Sequence, residues 1–177
     1  MKKSRILIIA LTAIILLIPV VFILKDKNKY PSEMQITSPA FEYNERIPEK
    51  FTCDGDNFNP TLEIEDVPED AQSLVLIVDD PDAPMGTWVH WVVFNIPPET
   101  GFIAENSVPG TLGINDFKKL DYGGPCPPSG THRYFFRVYA LDIKLNLAEG
   151  ATKSDVERHM KGHVLDEAEL MGTYSRG

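Results

Sequence analysis

Two hydropathy regimes divide the chain. From Ile6 to Leu24 only Thr12 and Pro19 are not apolar, and at about 1.5 Å of helical rise per residue that run is roughly 28 Å long, enough to cross a bilayer. Lys2, Lys3 and Arg5 precede it, as in the basic leader of an export signal, and no small-x-small cleavage site closes it. Residues 1–29 therefore read as a signal anchor or transmembrane helix, 30–37 as a linker and 38–177 as the folded domain. Basic residues flank both ends of the run, so the positive-inside rule does not choose an orientation. Export of the domain is the expectation: membrane-anchored on the extracytoplasmic face, with secretion after signal cleavage as the alternative.

Past the linker, apolar runs of four to nine residues alternate with segments rich in Pro, Gly, Asn and Asp, the rhythm of an all-β domain. The clearest strands are Ser73 to Val78, Trp88 to Ile96 and Tyr134 to Leu141, rich in β-branched and aromatic residues; Thr61 to Ile64 is a weaker fourth. In the run from Trp88, a period of two puts Trp88, His90, Val92 and Phe94 on one face and Val89, Trp91 and Val93 on the other. Both faces are apolar, which predicts a strand in mid-sheet covered on each side. One helix is predicted, opened by the Thr152-x-x-Asp155 capping pattern, carried by Val156, Met160, Val164, Ala168 and Met171, and ended by Gly172. The expected fold is a β-sandwich with a peripheral C-terminal helix.

Charge narrows the partners. Six of the 17 Lys and Arg and one of the 26 Asp and Glu precede Tyr30, which leaves 11 basic against 25 acidic residues in the rest. Such a surface repels nucleic acid and anionic lipid, so a bound anion needs a local, shaped site. The two cysteines, Cys53 and Cys126, are a disulfide candidate in an exported domain and two buried thiols in a cytosolic one.

Two segments could carry chemistry. Asp79-Asp80-Pro81-Asp82-Ala83-Pro84 ends one buried run and leads into the strand bearing His90, with two prolines to stiffen it. The Gly- and Pro-rich stretch Asp121 to Gly130 leads to Thr131-His132-Arg133-Tyr134, and so little side chain there would let a ligand approach backbone N–H donors. A carboxylate repels phosphate, so Asp80 and Asp82 are expected to accept hydrogen bonds from ring or backbone N–H groups. They would thereby favour the protonated imidazole and leave the histidines, Tyr134 and backbone donors to face the anion. The plainer alternative is a satisfied core histidine at His90 beside a well-capped turn.

The pattern Asp80-Pro81-Asp82-Ala83-Pro84, His90-Trp91 and Gly130-Thr131-His132-Arg133-Tyr134 resembles the signature of the phosphatidylethanolamine-binding protein family, also called Raf kinase inhibitor-like proteins. Cys53-Asp54-Gly55 and Gly123-Gly124-Pro125-Cys126-Pro127-Pro128 resemble its bacterial and archaeal branch. The resemblance implies a β-sandwich with a small pocket for phosphate, a carboxylate or a phospholipid head group, without metal or cofactor. It places Asp80, Asp82, Trp88, His90, Gly124, Pro128, His132 and Tyr134 at the pocket.

Other chemistries compete. An inhibitor of a kinase or protease, a thiol hydrolase using Cys126 with His132, or a metal hydrolase built on His90, His132 and Asp80 are the alternatives. His159 and His163 are four apart but lack the glutamate of a metalloprotease motif. Asp54, Asp56 and Glu65 match part of a calcium loop whose glycine is replaced by Asn59.

Overall fold

A computed structural model describes residues 33–177. The expected membrane helix at 1–29, and the linker up to residue 32, lie outside the described residues. The end of that linker is corrected: residues 35–37 form a strand, with Met34 and Ile36 buried in the core.

Among the described residues eight strands and one α-helix follow one another as β1 (Gln35–Thr37), β2 (Leu62–Glu65), β3 (Ser73–Asp80), β4 (Trp88–Ile96), β5 (Phe102–Ile103), β6 (Thr111–Leu112), β7 (Thr131–Leu141), α1 (Lys153–Met160) and β8 (Val164–Ser175). They make two antiparallel sheets, β1-β2-β5 and β6-β4-β3-β7-β8. One core fills the space between them: Ile36, Leu62, Ile64 and Ile103 meet Leu76, Trp91, Val93, Phe136 and Val138. A second core covers the other face of the large sheet, where Val75, Ile77, Val92 and Phe94 pack under Val156 and Met160 of α1. Every residue of β3 is buried, as its continuous apolar run requires of a central strand.

The helix is shorter than its periodicity predicts, and the C-terminal element is a strand. The capping box forms as expected, Thr152 Oγ1 accepting from the Asp155 amide while the Asp155 carboxylate accepts from the Thr152 amide. The helix stops at Met160, and Gly162 then takes a positive φ of 85° that turns the chain. Val164, Ala168 and Met171 belong to β8, paired with β7 along nearly its whole length. Gly172, expected to end the helix, sits opposite Tyr134, where an added Cβ would lie 2.5 Å from Ile47.

Strict alternation also fails in β4. Asp79 pairs with Val89 and Val78 with Trp91, so His90 is the extra residue of a β-bulge. Its ring, predicted to share a face with Val92 and Phe94, instead turns to the inter-sheet side, 5.2 Å from the ring of Tyr134.

Candidate anion site

The ends of β3, β4 and β7 bring the predicted residues together from three parts of the chain. His132 and Tyr134 lie on one face of β7 and are buried, and Asp80 closes β3 beside them. His132 Nδ1 lies 2.7 Å from Asp80 Oδ2. A carboxylate accepts, so the ring proton sits on Nδ1 and Nε2 is left for another partner. His90 is held in the same way by a different acceptor: its Nδ1–H donates to the carbonyl oxygen of Gly123 at 2.5 Å. Burial pulls the His90 pKa below its ordinary 6.5, against the smaller pull of the Gly123 carbonyl and Asp80. Protonation of His90 is therefore disfavoured in the free protein, contrary to the sequence expectation for this ring.

Asp82 differs from its expected role as well. Its carboxylate accepts from the amide, Nε and Nη2 of Arg133 at 3.0, 2.8 and 2.7 Å, and touches neither histidine ring. The Arg133 guanidinium holds the Asp82 carboxyl down to about 2. Asp82 meets Asp80 through the backbone, its N–H donating to Asp80 Oδ1 at 2.8 Å. Asp80 thus carries one partner on each oxygen.

In the glycine-rich segment the first two glycine amides are already engaged. Gly123 N–H donates to the His90 carbonyl, and Gly124 N–H to Asn57 Oδ1. At Gly124 a Cβ would lie 2.5 Å from the Phe51 carbonyl oxygen, so glycine is what lets the two loops touch. The Cys53–Cys126 disulfide ties those same loops, next to a Cys53 N–H to Pro125 carbonyl bond. Cys126 is therefore no free nucleophile, which removes the thiol hydrolase alternative from this oxidised form.

Trp88 stands one ring away from the histidine: it packs edge-on against Phe117 at 5.4 Å, and Phe117 packs at 5.4 Å against His90. Pro128 lines a neighbouring polar hollow of about 380 Å³ with Asp54, Tyr174 and Arg176, and Tyr174 pairs with His132 across β7 and β8. Phe117, Gly123 and Arg133 were missed as site residues. Phe117 lies in a turn with no motif to mark it, whereas Arg133 stands inside the Gly130-Thr131-His132-Arg133-Tyr134 motif.

Tyr134 is fully buried, and its hydroxyl has no hydrogen-bond partner among the described residues. The Cys126 backbone lies beside it without completing a bond, and burial pushes the phenol pKa upward. A neutral O–H donor is thus held at the centre of the cluster, against His90 and close to Asp80. Among the described residues no group of three or more His, Cys, Asp or Glu side chains is arranged to hold a metal ion.

Comparison with known proteins identifies the fold and the family. The sequence model of the phosphatidylethanolamine-binding protein family matches residues 37–175. A UPF0098 protein of Methanothermobacter thermautotrophicus is 54% identical over 152 residues, covering 81% of this chain and all of the relative. A UPF0098 protein of Aquifex aeolicus is 48% identical, over 81% of this chain and 89% of its own length. Among solved structures, the phosphatidylethanolamine-binding protein homolog CT736 of Chlamydia trachomatis superposes with a TM-score of 0.80 at 44% identity, covering 82% of this chain and 99% of that one. YbcL of E. coli, described as a member of the mammalian family, gives 0.76 at 29% identity over 82% of this chain and all of its own. The motifs, the two-sheet architecture and these matches agree, and the chain belongs to the phosphatidylethanolamine-binding protein family.

Proposed function

We propose that the protein binds a small phosphate-like or carboxylate anion, free or as a phospholipid head group, between His90, His132 and Tyr134, and does so without turning it over. Family membership supports a ligand-binding role in general. The observation that carries the finer reading is the Tyr134 hydroxyl. A buried O–H left without an acceptor costs about 1–3 kcal/mol, and an anionic oxygen placed against it removes that cost.

The chemistry of the neighbours fits. His132 Nδ1 is occupied by Asp80 and His90 Nδ1 by Gly123, so each ring offers Nε2. The neutral His90 tautomer presents a lone pair there, which suits a ligand that brings its own proton or a binding step that takes one up. The Cys53–Cys126 disulfide supports placing this domain in an oxidising compartment, the extracytoplasmic side in our reading.

Calorimetric titration of the full chain with phosphate, acetate and a phosphomonoester head group tests the proposal. His132→Ala should abolish the heat of binding and Tyr134→Phe should weaken it, while equal binding by all three proteins would remove the site from the ligand. A second reading, an inhibitor that docks on a kinase or protease, draws on Met85, 95% exposed in the proline-stiffened loop that precedes Trp88. A partner captured through that loop would survive His132→Ala and be lost with Met85→Asp.

A further inference from the structure

We propose that Arg133 is a positioning residue: it holds His132 in its working orientation by fixing the Asp82 and Asp80 carboxylates in series. The inference rests on the anion-binding reading for its ligand readout and on geometry for the rest.

Arg133 follows His132 in β7 but faces the other side of the strand, where its side chain is 52% exposed. A surface ion pair of this kind contributes roughly 0–1 kcal/mol to stability, so folding alone gives little reason for three donors on one carboxylate. Orientation gives a better one. A guanidinium fork fixes the plane of a carboxylate as a single ammonium cannot, and here the Arg133 main-chain N–H adds a third bond to the same group. The guanidinium lies 5.7 Å from the Phe135 ring centre, on the same face of β7, which steadies its stem.

The consequences run inward. With its side chain anchored to β7, the Asp82 amide is held where it donates to Asp80 Oδ1, and Asp80 Oδ2 receives the His132 proton. His132, Asp80, Asp82 and Arg133 therefore close a ring in which two adjacent residues of β7 hold two residues of the Asp-Pro loop. Asp80 cannot rotate without giving up a bond at each oxygen. Removing the fork frees the loop end of the ring, leaves Asp80 Oδ1 without its fixed donor, and loosens the imidazole that depends on Asp80. Arg137 is already engaged with Asp79 and Glu169.

The test uses the full chain, kept in solution with a non-ionic detergent, as wild type, Arg133→Ala, Arg133→Lys and Asp82→Asn. The ring resonances of His90 and His132 are recorded by ¹⁵N NMR, and inorganic phosphate is titrated into each protein. Arg133→Ala should move the His132 ring resonances while leaving those of His90 in place. Phosphate affinity should fall about tenfold, the scale on which outer hydrogen-bond partners act at metal sites. Lysine should restore part of both effects, and Asp82→Asn should reproduce them if the alanine variant fails to fold. Unchanged His132 resonances in Arg133→Ala and Asp82→Asn would overturn the proposal. Failure of the wild type to take phosphate, with His132 still displaced in Arg133→Ala, would sink the anion reading and leave the positioning role standing.

Discussion

Asp80 Oδ2 accepts the Nδ1 proton of His132 at 2.7 Å, across 52 residues of sequence, with both side chains almost wholly buried. The contact joins the end of β3 to the start of β7 and fixes which nitrogen of the ring faces the ligand. Asp80→Ala strands the ring N–H in the interior, and a buried unsatisfied donor costs about 1–3 kcal/mol. Urea denaturation should register a loss of that size, and phosphate binding should weaken with it. Asp80→Asn keeps an acceptor oxygen and should cost less of both.

The disulfide predicts a link between redox state and the site. Cys53 and Cys126 close a span of 73 residues, and Cys126 is exposed to solvent. In the chain-entropy picture a bridge closing a span of this length contributes about 4 kcal/mol. Reduction with a dithiol, or Cys126→Ser, should lower the urea midpoint accordingly. It should also shift the His90 ring resonances, because the Gly123 carbonyl that holds that ring lies three residues from the bridge. A stability loss with unmoved His90 resonances would make the bridge a staple for the fold alone.

Acid should destabilise the protein in two steps of different origin. Burial lowers the folded pKa of His90 below 6.5, so between those two values the unfolded chain holds the additional proton. Stability is then full above about 6.5 and falls as the pH drops below it. Asp82 acts in a lower window: its folded pKa of about 2 lies under the ordinary 3.8, so its contribution is present above 3.8 and is lost as the pH falls towards 2. Arg133 is half exposed, so that second step should be small. Denaturation midpoints measured from neutral pH down to about pH 5 should decline in the wild type and much less in His90→Gln.

What could be read from the sequence was whatever the chain specifies locally. The runs at Ser73 to Val78 and Trp88 to Ile96 are strands because β-branched and aromatic residues dominate them, and the Thr152 to Asp155 cap forms from residues three apart. The errors came where a distant partner decides. Val164, Ala168 and Met171 have helical spacing, yet pairing with β7 satisfies the backbone of that whole segment as a strand. The bulge at His90 depends on the register between β3 and β4, which no single-strand pattern contains. At the site, the residue types were legible because Asp, His and Tyr clustered near Gly and Pro. Their pairing was not: Asp82 chose Arg133 over a histidine, and the Gly123 and Gly124 amides went to His90 and Asn57.

The most direct test of the account follows the rings themselves. Inorganic phosphate is titrated into the ¹⁵N-histidine-labelled protein near pH 6.5, with His159 and His163, which lie on α1 and the turn after it, as internal references. The Nε2 signals of His90 and His132 should shift together along one saturating curve while the two references stay still. If His90 and His132 titrate with pH but ignore phosphate, or follow different curves, no shared anion site joins them.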